Sequence, residues 1–157
     1  MISHERIEEY NRHLLQFERQ RAHVTDIGKK ILRDKDFETA IVWRDFVNNY
    51  GTNGDKVYNL ILVIMSYASD PNELRVEKFN HFCSDPQTMG GSAFTVADIM
   101  AFQLHAPDKH HPGKLHKFKN IYICGDHGSH FSCKATFYLE STYYQKYGVI
   151  ISDIFLC

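Results

Sequence analysis

Two runs of β-forming residues dominate the first half of the chain and narrow what it can fold into. Thr39-Ala40-Ile41-Val42-Trp43-Arg44-Asp45-Phe46-Val47 is β-branched and aromatic, and apolar on both faces. That is the pattern of a central strand covered above and below. Val57 to Tyr67 is richer still in Leu, Ile and Val. Between them, residues 48–55 have turn chemistry, so the pair reads as an antiparallel hairpin with a long loop. The longest apolar run, Leu60 to Met65, is six residues, whereas a membrane-spanning helix needs about 20. Residues 1–6 lack the apolar core of a signal peptide.

Residues 4–33 ahead of the hairpin predict an amphipathic helix. Ile7, Tyr10, Leu14, Phe17, Val24, Ile27 and Ile31 recur at spacings of three, four or seven. Ser3 is placed to cap it, and Glu5, Glu8 and Glu9 favour its first turns. Such a helix packs on its own domain or on a partner helix, and self-association through it is an expectation. Downstream, residues 76–83 form a weaker third strand, 93–104 a helix, 118–124 a fourth strand, 134–147 a helix stopped by Gly148, and 149–156 a fifth strand. Three consecutive strands followed by alternating helix and strand imply one mixed α/β sheet with helices on its faces. The expected division is an N-terminal helix, 1–36, and a core, 37–157. The last strand lacks a following element, so a C-terminally truncated domain is expected.

At 157 residues, 43% hydrophobic and 24% charged, the chain has the composition of one globular domain. Eighteen basic against nineteen acidic residues exclude a whole-chain basic field for nucleic acid, though not a local patch. Four cysteines without a secretory signal indicate a reducing, intracellular setting, with free thiols or metal ligands. Neither a Gly-rich phosphate loop nor a nucleophile-elbow serine motif is present, and Gly90-Gly91 is a helix entry at most.

Three constellations carry chemistry. Asp45 lies inside an apolar strand, where an ionised carboxylate needs a cation, hydrogen bonds or a metal. Asp126 lies just past the end of another apolar strand. If those strands are neighbours, the two acids converge and suit Mg²⁺ or Mn²⁺. The ordinary alternatives are an Arg- or Lys-paired acid at 45 and a turn residue at 126. Second, Cys124, His127, His130 and Cys133 have soft donors suited to Zn²⁺. They crowd into ten residues, where zinc sites generally use two separated knuckles; buried thiols and surface imidazoles explain them better. Third, Lys109, His110, His111, Lys114, His116, Lys117 and Lys119 form a basic segment with no acid. It is either a solvated loop or a local phosphate-binding patch.

Asp126-His127-Gly128-Ser129-His130-Phe131 resembles the D-x-G-x-x-F turn of retroviral-type integrases and DDE-type transposases. Residues 42–50, Val-Trp-Arg-Asp-Phe-Val-Asn-Asn-Tyr, resemble that family's first strand, with a D-F-x-x-N-Y pattern seen in transposon-derived proteins of eukaryotes. The resemblance covers residues 37–157 in outline. It implies a ribonuclease H-like fold with a mixed five-stranded sheet, and metal-dependent cleavage and transfer of DNA strands. Asp45 corresponds to the first catalytic acid and Asp126 to the second, both as Mg²⁺ ligands, with His127 or His130 near the scissile phosphate. The third acid belongs after the fifth strand. Glu140 precedes that position and Asp153 matches none, so an incomplete or inactive copy from a mobile element is expected. The partner implied is DNA, with the basic segment along its backbone and a nuclear location in a eukaryote. The rival reading is a non-catalytic zinc- or nucleic-acid-binding module derived from a mobile element.

Overall fold

The computed structural model describes residues 3–50, 56–84, 99–100, 103–104, 113–126, 131 and 133–156. Helix α1 spans His4–Asp34. The Ser3 hydroxyl accepts the Arg6 amide at 3.4 Å, as its capping position predicts. The helix stops where Lys35 turns left-handed at φ 50°, its amide returning to the carbonyls of Ile31 and Leu32.

Strands β1 (Thr39–Tyr50), β2 (Lys56–Ser66) and β3 (Arg75–Ser84) form an antiparallel meander. Strand β4 (Asn120–Asp126) then lies parallel to β1 on its other side. Helix α2 (Lys134–Tyr147) carries the chain over to β5 (Ile150–Leu156), which is parallel to β4. A parallel neighbour requires such a crossover, and α2 supplies it. Gly148, at φ 68°, ends α2 by donating its amide to the Tyr144 carbonyl, a conformation costly for a residue with a Cβ. The sheet order is β3-β2-β1-β4-β5, so the most apolar strands are central. This is the α/β arrangement expected from the element order, a mixed five-stranded sheet with flanking helices, and it is consistent with a ribonuclease H-like fold.

The pleat divides the core in two. Ala40, Val42, Leu60, Leu62, Ile64, Ile121 and Ile123 pack on one side with Tyr143 of α2, Phe131, Leu115, Phe118 and the helical residues Met100 and Leu104. Ile41 and Cys124 face the other side, where Val24 and Ile31 of α1 cover them together with Tyr67. Gly28 faces Leu74 and Ile41 across this contact, and a Cβ there would meet them at ordinary van der Waals distances of 3.5 and 3.8 Å. Of the expected helix over 93–104, residues 99, 100, 103 and 104 are helical; 93–98 and 101–102 lie outside the described residues. No helix among the described residues is long and apolar enough to cross a membrane.

Candidate functional site

Strand β1 delivers Asp45 and strand β4 ends at Asp126. Their ladder is parallel and runs from Thr39 opposite Asn120 to Trp43 opposite Cys124. The two strands are therefore neighbours. The ladder ends there, and Asp45 and Asp126 each lie two residues beyond its last pair, Asp126 at the C-terminal end of β4 and Asp45 with five residues of β1 still to follow.

The expectation that Asp45 is buried is corrected. Asp45 is exposed, and the buried charge of the strand is the residue before it, Arg44. Alternation along β1 explains the swap: 40, 42 and 44 point into the α2-side core, while 41, 43 and 45 point to the α1 side. Asp45 is nonetheless exposed, and a hard oxygen donor open to water is compatible with Mg²⁺.

Arg44 forms a network that the sequence reading did not anticipate. Its Nη1 donates to Glu140 Oε1 at 2.7 Å and its Nη2 to Asp153 Oδ1 at 3.1 Å. The three side chains are 1%, 8% and 11% exposed. The guanidinium also lies 4.9 Å from the Phe131 ring centroid, and Phe131 stacks on Phe46 at 5.6 Å. Burial, with a further push from Asp153, raises the Glu140 carboxyl to about 8. The only available signal was an arginine in an apolar strand, which demands a buried acid without saying which one. The network also settles where Glu140 and Asp153 stand. Both are committed to Arg44 on the face opposite Asp45, so neither joins the Asp45 site. Among the described residues no group of three His, Cys, Asp or Glu is arranged to hold a metal.

The thiols of the zinc candidate are not brought to one point. Cys124 is buried in the α1-side core, where burial pushes its thiol up to about 11, away from the thiolate a metal requires. Cys133 precedes α2 on the other side, its sulfur 3.3 Å from the Thr136 hydroxyl, and that hydrogen bond lowers its thiol pKa. His127 and His130 lie outside the described residues.

Lys109, His110 and His111 also lie outside the described residues. The described lysines of the basic segment stand away from the acids, before the start of β4 or against the edge strand β3. Lys119 immediately precedes β4 and pairs with Glu38 at 2.6 Å; Lys114 pairs with Glu77 at 3.7 Å; Lys117 lies 5.1 Å from the Phe118 ring centroid. Strand β4 separates Asn120 from Asp126 by about 20 Å. Closeness in sequence to the strand leading to Asp126 therefore does not place these lysines at the acids. Nearer to Asp45 along β1 is a cavity of about 320 Å³ between α1 and the sheet, lined by Arg21, Val24, Gly28, Ile41, Trp43 and Met65 among others.

No protein-family model matches the chain, and no curated protein matches it. Among solved structures, the chain is similar to the catalytic domain of Mos1 mariner transposase, at 13% identity and TM-score 0.44, over 87% of this chain and 59% of that one. It is likewise similar to the Mos1 transposase catalytic domain with Raltegravir and Mg, at 14% identity and TM-score 0.42, over 87% and 60%. The chain thus spans about 60% of the length of the solved chains it matches.

Proposed function

We propose that this chain is a DDE-type transposase- or integrase-like core acting on DNA, in which Asp45 and Asp126 are the acids that hold Mg²⁺ or Mn²⁺. The observation that supports the reading is the parallel β1–β4 ladder, which makes the two strands neighbours and ends two residues before each acid, at Trp43 and Cys124. Divalent ions held by such acids clamp the attacking and leaving oxygens of an in-line phosphoryl transfer. The chain's own part is to fix the two strands. Arg44 ties β1 to α2 and β5 through Glu140 and Asp153, and Ile41 and Cys124 anchor β1 and β4 in the α1-side core. Asp45 thereby projects from a rigid strand rather than a loop.

Two carboxylates make a weak magnesium site, because this ion keeps several waters and relies on substrate phosphates to complete its shell. We therefore expect weak metal binding and little cleavage by this chain alone. DNA is the proposed partner, with the basic segment at 109–119 contacting phosphates, its described lysines Lys114, Lys117 and Lys119 doing so at a distance from the acids. A duplex crossing the sheet over about 20 Å presents roughly six phosphates per strand. The zinc reading is less well supported, since Cys124 is a core thiol.

The test is titration of Mg²⁺ and Mn²⁺ into the wild-type chain, Asp45→Asn and Asp126→Asn, reading thermal stability and nicking of a DNA duplex. A metal response lost in both variants supports the proposal. An equal response in all three proteins refutes it.

A further inference from the structure

We infer that the N-terminal half of α1 is a self-association surface, on which a second copy of this chain docks antiparallel. Helix α1 has 31 residues, but its buried ones, Val24 and Ile31, lie in its second half. The same apolar stripe continues towards the N-terminus through Phe17, Leu14, Tyr10 and Ile7, beyond the sheet that covers Val24 and Ile31. There Ile7 is 46%, Tyr10 66% and Leu14 44% exposed. Three large apolar side chains aligned on one helix face are a contiguous patch rather than scattered surface residues.

The occupant follows from spacing and charge. Residues 7, 10, 14 and 17 are separated by three, four and three positions, a pattern that reads the same in both directions. An antiparallel copy centred at the level of residue 12 therefore sets Ile7 against the second copy's Phe17, and Tyr10 against its Leu14. That is a self-complementary seam of the kind a two-fold dimer requires. The polar faces favour the same direction. Residues 4–10 carry Glu5, Glu8 and Glu9 against Arg6, whereas residues 12–21 carry Arg12, Arg19 and Arg21 against Glu18. A parallel pair would stack acidic turn on acidic turn; the antiparallel pair lays it along the basic stretch and opposes the helix dipoles. Residues 4–16 are exposed throughout, a stretch about 20 Å long.

The experiment is sedimentation velocity on the full chain across a concentration series reaching about 100 μM, an affinity range suited to a short seam. The comparison proteins are Leu14→Glu and Tyr10→Lys, whose exposed positions leave the fold intact, as unchanged circular dichroism confirms. Wild type is expected to dimerise with rising concentration, and each variant to bind at least about tenfold more weakly. Direction is read by mixing Tyr10→Cys with Leu14→Cys under mild oxidation and sequencing the linked peptides by mass spectrometry. A 10-to-14 link is expected. A wild-type chain that stays monomeric, variants that associate like wild type, or links of 10 to 10 and 14 to 14 would overturn the inference.

Discussion

Replacing Arg44 by methionine removes the charge between two buried acids while keeping a long apolar stem. Its side chain is 1% exposed and donates to Glu140 at 2.7 Å and Asp153 at 3.1 Å. Breaking a buried pair by deleting one partner costs about 3–5 kcal/mol, because the remaining charge has neither water nor counter-ion. In a domain of this size each kcal/mol lowers Tm by about 2–4 °C, so a fall of roughly 6–20 °C is expected. The loss should depend on pH. Without the guanidinium, the Glu140 carboxyl, already raised to about 8, binds its proton more tightly still in the folded state. Its contribution is then favourable at low pH and disappears as pH rises through its folded value. The gap from wild type is therefore small near pH 4 and widest above pH 8. Urea unfolding followed by the single tryptophan, Trp43, one residue from the substitution, reads both quantities. Adding Glu140→Gln and Asp153→Asn to the same chain should recover much of the loss at neutral pH. A cost below about 1 kcal/mol, or one that does not vary with pH, would refute the reasoning that this cluster is a dry ionic lock.

Glu140→Gln alone tests the raised carboxyl. Its folded pKa is about 8 against an ordinary 4.5, so its protonation stabilises the fold fully below about 4.5 and the benefit is lost as pH rises through 8. The variant should unfold near the wild-type urea midpoint at pH 5 and gain on wild type by pH 9; a constant offset across that range contradicts it. Alkylation read by peptide mass spectrometry should modify Cys133, whose thiol pKa is lowered by Thr136, well before Cys124, which is buried and pushed up to about 11; the reverse order would show that the α1-side core opens first. Gly125→Ala should be nearly neutral, since the new Cβ meets the Arg44 carbonyl at 3.4 Å and Phe131 at 3.9 Å. Gly125→Val should cost about 1–3 kcal/mol by overpacking and weaken the metal response between strands β1 and β4. Equal stability of the two variants would place the strands further apart than described.

The central strands and α2 were legible because their signals are local. Apolar runs covered on both faces, bounded by turn residues, specify strands without reference to anything distant, and Gly148 marks a helix end on its own. Strand order was legible only through resemblance, since nothing in residues 39–47 or 120–126 names the other as partner. The misreading of Asp45 has a clear origin. A run apolar on both faces gives no phase, so composition alone cannot say which of two adjacent charged residues points inward. Phase was supplied by partners 96 and 109 residues away, Glu140 and Asp153, and a separation of that size leaves no local trace.

The pair Arg44 and Asp45 shows how one strand can serve stability and chemistry through adjacent residues. The pleat sends them to opposite faces. Arg44 is enclosed by two acids and an aromatic ring, and its burial is tolerated only because each of those partners is in place. Asp45 is exposed on the other face. Because the guanidinium ties β1 to both α2 and β5, displacement of β1 against its neighbours would break charge-assisted bonds in the interior. The lateral spacing of positions 45 and 126, on which any shared metal depends, is thus controlled from the opposite face of the sheet. On this account Arg44 is a positioning residue. Its loss should reduce the metal response more than the fall in folded population explains, measured at a temperature where both proteins remain fully folded.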